Sequence, residues 1–335
     1  MLNLLPWHKE QWEKIIQTRL NNRMPHALLF SGPRGVGKTQ FARYLASSIF
    51  CFSPVNDFIP CGKCKSCELF VAGNHPDICL IEPEEEGKQI KVDQIRDLID
   101  FINLKSQYEG YKIAIINPAD AMNRSSANTL LKTLEEPPEQ SILILLGHRP
   151  NLLPVTIRSR CQQIQFNSVY AEPARSWLAE RIENRQPADE LLIMASGAPL
   201  AALEMIENND IEKMKMVVSD LETLQLLKDD PVRIAEKWNK CGAARIFQWL
   251  LQLMGDLVRL KSSSGHVRHY QSGEYPGLQR LTNRLDLYKL MLCHDLLLKN
   301  YSMCMGQISY NTQALLEDFI IFWQEQANHT GGQIK

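Results

Sequence analysis

Residues Gly32-Pro33-Arg34-Gly35-Val36-Gly37-Lys38-Thr39 satisfy the pattern G-x-x-x-x-G-K-[ST] in full. The pattern dictates a backbone. Its glycines let successive main-chain N–H groups wrap phosphate oxygens, its lysine supplies positive charge, and its terminal hydroxyl reaches a Mg²⁺ ion. Such a loop needs a strand before it and a helix after it, and both are present. His26 to Phe30 is a short apolar run, and Thr39 to Phe50 sets Phe41, Leu45 and Ile49 on one helical face. With average residue usage, a chance match in a chain of this length has a probability on the order of 1%. The loop therefore commits the first part of the chain to an α/β fold.

The alternation continues downstream. Asp77 to Ile81 reads as a strand, Ile90 to Ile102 as a helix with Val92, Ile95, Leu98, Ile99 and Ile102 inward, and Lys112 to Ile116 as a buried strand. Ser125 or Ser126 can cap a helix bearing Ala127, Leu130, Leu131 and Leu134, which Pro137-Pro138 ends. Strands at Ile142 to Leu146 and Gln162 to Phe166 flank a short helical stretch over residues 151–158. At least four strand–helix alternations predict an open parallel sheet between helices. Beyond Glu172 strand signals vanish. Helices are expected at 174–182, 188–194 and 198–206, with breaks at Gly197 and Pro199, and Asn208-Asn209-Asp210 reads as a linker. The rest shows helical periodicity at 211–227, 231–238, 243–260, 275–299 and 312–327, with Lys261 to Gly265 as the expected mobile loop. The division predicted is an α/β domain over 1–167, a small helical segment over 168–207 and an all-α domain over 208–330.

Hydrolysis needs a carboxylate at the end of a second strand to organise Mg²⁺. The chain has Asn117-Pro118 there. Neither side chain is a carboxylate, so the loop is expected to hold ATP or ADP with Mg²⁺ while the chain turns it over poorly or not at all. The opposing reading gives that role to Asp120.

Nine cysteines is an odd count that argues for thiols or metal ligands over a disulfide framework. Cys51, Cys61, Cys64 and Cys67 lie in one insertion, the last three as C-x-x-C-x-x-C, a spacing suited to tetrahedral Zn²⁺. Lys63 and Lys65 would offset part of the thiolate charge, and four Cys ligands make a structural site. Unligated thiols and an iron–sulfur cluster are the alternatives. Cys79, Cys241, Cys293 and Cys304 fall in apolar periodic segments and are expected in the core. In Arg158-Ser159-Arg160-Cys161, an arginine at a domain edge is either solvated or salt-bridged, or reaches a neighbouring subunit's γ-phosphate.

With 37 basic and 38 acidic residues, the chain has no excess positive charge for gripping nucleic acid by phosphate neutralisation alone. The longest apolar runs, 141–146 and 319–323, are far below the roughly 20 residues of a membrane-spanning helix. Residues 1–8 lack the charge and cleavage pattern of a signal peptide, so the expected compartment is the cytoplasm.

These features together resemble the AAA+ clamp-loader group, and within it the δ′ family of bacterial DNA polymerase III. The carriers are Gly32 to Thr39, the cysteine module after the following helix, Asn74-His75-Pro76-Asp77, the run from Asn128 to Pro138, and Ser159-Arg160-Cys161. The resemblance implies an AAA+ domain with a zinc module at 51–67, a lid over 168–207 and a collar over 208–330. It implies a stationary subunit of a nucleotidyltransferase holoenzyme. That subunit assembles with γ/τ and δ partners that load a sliding clamp onto primed DNA, and it gives Arg160 in trans to a neighbour's ATP site. It differs from the family's ATPase members at three places: Asn117-Pro118 replaces an Asp-Glu pair, His148 or Arg149 stands at a sensing position, and Leu200 replaces a lid arginine. The rival readings are an autonomous γ/τ-like ATPase using Asp120 and a zinc-dependent DNA-binding protein with a vestigial loop. Lys132 is a candidate for DNA proximity by helix position.

Overall fold

The computed structural model describes residues 3–21, 23–56, 58–85, 87–108, 110–182, 187–262, 280–283, 285–306 and 310–328. The chain divides into two compact units, Met1–Glu204 and Met205–Lys335.

In the first unit a 3₁₀ turn (Pro6–His8) leads into α1 (Lys9–Leu20), β1 (Ala27–Ser31), α2 (Lys38–Phe50), α3 (Lys65–Val71), β2 (Ile78–Ile81) and α4 (Val92–Asn103). There follow β3 (Lys112–Ile116), α5 (Arg124–Glu135), β4 (Ser141–Gly147), α6 (Val155–Arg158) and β5 (Gln162–Gln165). Short helices α7 (Glu172–Ala179), α8 (Ala188–Met194) and α9 (Pro199–Glu207) come next, the last running past Glu204, where the first unit ends. The five strands pair in parallel in the order β2-β3-β4-β1-β5, with Leu29 of β1 level with Leu145 of β4 and Gln163 of β5.

β1, β3 and β4 are buried along their whole length, which is why they read as continuous apolar runs. Successive residues face opposite sides of the sheet. Leu28 and Phe30 join Phe41, Leu45, Ile113 and Ile144 in one core, while Leu29 joins Ile95, Leu98, Ala114, Leu130 and Leu145 in the other. Burying each such side chain is worth roughly 1.5–3 kcal/mol, so the sheet is held from both faces.

One expected cap is replaced. Asn123, not Ser125 or Ser126, starts α5: its side chain accepts the Ser126 backbone N–H at 2.8 Å, and the Ser126 hydroxyl turns to the Ile90 carbonyl at 2.8 Å. An Asn in extended backbone two residues earlier satisfies the orphan amides as well as Ser does.

The second unit contains α10 (Asp210–Gln225), α11 (Pro231–Lys240), α12 (Ala243–Ser262), α13 (Leu287–Cys304) and α14 (Thr312–Asn328). Its core gathers Trp238, Phe247, Leu250, Phe319 and Trp323. The helix expected over 275–299 is interrupted: residues 280–283 are helical, Asp286 then caps α13 by accepting the Lys289 N–H at 2.8 Å, and residues 275–279 lie outside the described ones. Apolar periodicity runs through this break because Leu281, Leu285 and Leu290 on either side of it are buried in one core. Of the loop expected at Lys261 to Gly265, Lys261 and Ser262 belong to α12, and residues 263–265 lie outside the described ones. Of the four cysteines expected in the core, only Cys293 is buried; Cys79, Cys241 and Cys304 are half-buried. Among the described residues no helix is long and apolar enough to cross a membrane.

Candidate nucleotide cradle, cysteine cluster and edge arginine

β1 lies inside the sheet, so the chain leaving its carboxyl end enters the crevice between the helical layers, where Gly32 to Gly37 form the turn into α2. Gly37 occupies the N-cap with φ of 95°, and no side chain caps the helix, which leaves its first-turn amides open for an anion. A Cβ at Gly37 would lie 2.4 Å from Leu5 Cδ1 and 2.7 Å from His8 Cε1. At Gly35, with φ of 80°, it would lie 2.5 Å from the Ala201 Cβ. The loop is thus gripped from two sides. Trp7 Nε1 and His8 Nε2 both donate to the Val36 carbonyl, at 2.9 and 2.8 Å, and the Leu200 N–H donates to the Gly35 carbonyl at 2.9 Å. The sequence pattern predicts neither grip. The Pro6-Trp7-His8 tripeptide ahead of an amphipathic helix was the available signal, and it has no spacing rule tying it to a loop 28 residues away.

Lys38 is 3% exposed and donates to the Gly32 and Pro33 carbonyls at 2.7 and 2.6 Å. Burial pushes its ammonium down to about 8, with Asp120 opposing the shift. Open helix amides, a lysine within the loop and the half-buried Thr39 at the next position form a donor set that fits a phosphate.

The groups around this cradle are engaged elsewhere. Asn117 donates from Nδ2 to Glu82 Oε1 at 2.7 Å, away from the loop. Asp120 accepts the His148 backbone N–H at 2.8 Å and lies 3.9 Å from Arg149 Nε, with 5% of its side chain exposed. It links the turn after β3 to the end of β4. Burial first, then the Lys38 charge, pushes the His148 imidazole down to about 4. His8 is likewise pushed down to about 4 by burial.

Cys51 ends α2, Cys64 precedes α3 and Cys67 lies within it, so two helix ends and the loop carrying Cys61 converge. The four Sγ atoms all lie within 4.8 Å of one another. They form a small cluster of their own, separate from the sheet cores. The Cys61 N–H points to Cys51 Sγ at 3.2 Å and the Cys64 N–H to Cys61 Sγ at 3.3 Å, contacts that favour thiolate. The Lys63 backbone N–H, aided by that of Cys64, draws the Cys61 thiol down to about 6 against burial, whereas burial pushes Cys51 and Cys67 up. Four thiols at this separation can close around a tetrahedral Zn²⁺.

Asn74 to Asp77 ties this insertion to the sheet. His75 stacks on Phe50 with ring centroids 4.1 Å apart and meets Ser66 Oγ at 3.1 Å. The Asp77 carboxylate accepts the Ser106 hydroxyl and the Gln107 N–H, both at 3.0 Å, and lies 3.6 Å from Lys112.

Arg160 follows α6 at the edge of the sheet unit, with 36% of its side chain exposed. Its guanidinium donates to the Thr156 carbonyl at 2.9 Å and meets Glu135 at 2.7 Å. Lys132, on the same helix as Glu135, is exposed.

A parallel β5-β1-β4-β3-β2 sheet, a Gly-Lys-Thr loop between its β1 strand and α2, and short helices packed on that loop define a P-loop domain of the AAA+ class. Family models described as "DNA polymerase III, delta subunit" and "DNA polymerase III, delta subunit, C terminal" match residues 7–170 and 208–325. The DNA polymerase III subunit delta' of Pseudomonas aeruginosa is 32% identical over 96% of this chain and 98% of its own length. The chain belongs to the DNA polymerase III subunit delta' family. Part of the chain is also similar to the DNA polymerase III subunit tau/gamma of Haemophilus influenzae, at 40% identity over 44% of this chain and 21% of that protein. Among solved structures, a gamma subunit-related protein of Thermotoga maritima superposes with a TM-score of 0.47 at 18% identity, covering 93% of this chain and 99% of that one.

Proposed function

We propose that this chain is a stationary, non-motor subunit of a clamp loader, built with γ/τ-type and δ-type partners, that helps place a sliding clamp on primed DNA in the cytoplasm. In this reading residues 1–167 are the AAA+ domain, 168–207 its lid and 208–330 the collar that assembles with the partners. ATP or ADP with Mg²⁺ sits on Gly32 to Thr39 without being turned over. Zn²⁺ is held by Cys51, Cys61, Cys64 and Cys67 as a structural ion. Arg160 meets the γ-phosphate at a neighbour's site.

One contrast carries the reading. Asn117 is held by Glu82 and Asp120 is buried on the His148 N–H, while Arg160, though paired with Glu135 and the Thr156 carbonyl, keeps 36% of its side chain exposed at the unit's edge with further N–H donors to offer. When bound, Mg²⁺ would screen phosphate charge, and Thr39 is the residue that would hold it. The same engagement of Asp120 weighs against an autonomous ATPase, since its carboxylate already serves a backbone N–H.

The test is ATP binding and turnover by the purified chain, then by its mixture with γ/τ and δ partners, clamp and primed DNA. Binding without turnover alone, followed by stimulated turnover in the mixture, is the expected result. Appreciable turnover by the chain alone overturns the non-motor assignment.

A further inference from the structure

Glu135 is the last residue of α5, where the helix dipole disfavours a carboxylate. It gains a counter-charge across the edge of the unit, in Arg160 at 2.7 Å. The arginine is pinned at two points, because the Thr156 carbonyl takes another of its guanidinium N–H groups at 2.9 Å. The backbone below is equally fixed. The Arg160 N–H donates to the Ile157 carbonyl at 3.1 Å, and Ile157 and Cys161 are buried in the same core as Leu130 and Leu134 of α5. A guanidinium has five donors in a rigid fork, and two acceptors leave others for a further anion. Immobilising a freely rotating arginine side chain costs conformational entropy, which pinning in advance removes.

We propose that Glu135 is a positioning residue for Arg160: it holds the guanidinium in the orientation in which the arginine meets a phosphate supplied by an adjacent subunit. The inference rests on the trans role of Arg160 and adds the residue that presents it. Glu135 touches no nucleotide in this scheme. It acts through the arginine, and removing it loosens the guanidinium without removing its charge.

The experiment uses the full chain reconstituted with its γ/τ and δ partners, clamp and primed DNA, with ATP as substrate. Four chains are compared: wild type, Glu135→Ala, Arg160→Ala and the double variant, with Glu135→Gln as a milder fifth. Glu135 is half-exposed, and thermal melting of each chain checks that folding is kept. Glu135→Ala is expected to lower the stimulated kcat roughly two- to fivefold at unchanged KM, the scale of a half-exposed ion pair. Glu135→Gln, which keeps an acceptor, should fall between it and wild type. The double variant should turn over no more slowly than Arg160→Ala alone, because a positioning residue has nothing left to position. An unchanged or raised kcat in Glu135→Ala, or the same loss in the Arg160→Ala background, overturns the proposal while leaving the trans role standing. A neutral Arg160→Ala removes the trans role and Glu135's part with it.

Discussion

Lys38 and Arg160 belong to the same sheet unit, yet their surroundings are opposite. Lys38 is 3% exposed, folded onto the carbonyls of its own loop, with its neighbours Asp120 and His148 joined to each other. Arg160 keeps 36% of its side chain in solvent, pinned by Thr156 and Glu135 at the rim. The difference shows how a Gly-Lys-Thr loop can be held closed by contacts within the chain while an arginine of the same unit keeps part of its side chain at the surface. The loop is also a structural joint. The Val36 carbonyl anchors Trp7 and His8, and the Gly35 carbonyl anchors the start of α9. A larger residue at either neighbouring glycine would collide with those segments, so fold alone is sufficient to retain the loop.

The largest effect expected separates the two cations directly. Arg160→Ala in the reconstituted complex should depress turnover at the neighbouring site by roughly 10³- to 10⁵-fold, as loss of a finger arginine does. Lys38→Ala should leave complex turnover within about twofold. Steady-state ATPase of both variants checks this, and a collapse in Lys38→Ala would make the cradle a working site.

Next in size is the metal. Elemental analysis should find one Zn²⁺ per chain, and chelation should cost the amides of Cys61 and Cys64 roughly 100-fold or more in hydrogen-exchange protection. The strands should keep theirs, because the thiol cluster is separate from the sheet cores. Uniform loss across the sheet would show that the module supports the whole unit.

The pH dependence sharpens the contrast further. His8 and His148 both flank the cradle and titrate at about 4 in the folded chain, against 6.5 as the ordinary value. Between these values the unfolded chain binds more protons. Stability therefore rises with pH from about 4 to about 6.5 and gains nothing further above that from these two residues, each contributing of order 1 to 3 kcal/mol. Melting of wild type and His8→Gln across this window should show a shallower slope in the variant, and equal slopes would contradict it.

The smallest effect concerns Asp120. Asp120→Asn keeps an acceptor for the His148 N–H, so it should lower stability by only about 1 kcal/mol and leave complex turnover within about twofold. A denaturation curve and the same ATPase assay check both, and loss of turnover would restore Asp120 as a metal-organising group.

Some of this was legible in the chain and some was not, for physical reasons. Strand and helix periods in the first unit depend on which face each residue buries, so Lys112 to Ile116 and the inward faces of α2 and α4 could be read directly. The Cys-x-x-Cys-x-x-Cys spacing already brings three thiols within one turn of loop and helix, and only Cys51 needed the chain to fold back. In the second unit the described helices all bury apolar residues at a helical period, so the pattern does not mark Asp286, whose cap begins α13.

By itself, the sequence determined the parallel α/β sheet, the Gly-Lys-Thr loop and the thiol cluster, because each depends on residues close in the chain whose backbone preferences and spacing suffice. The partners of those groups were decided only by the tertiary structure. That Glu135 meets Arg160, that Asp120 serves His148, and that Trp7 and His8 hold Val36 follows from packing between segments about 25 to 30 residues apart, where no local period connects them and only the shared cores set the distance.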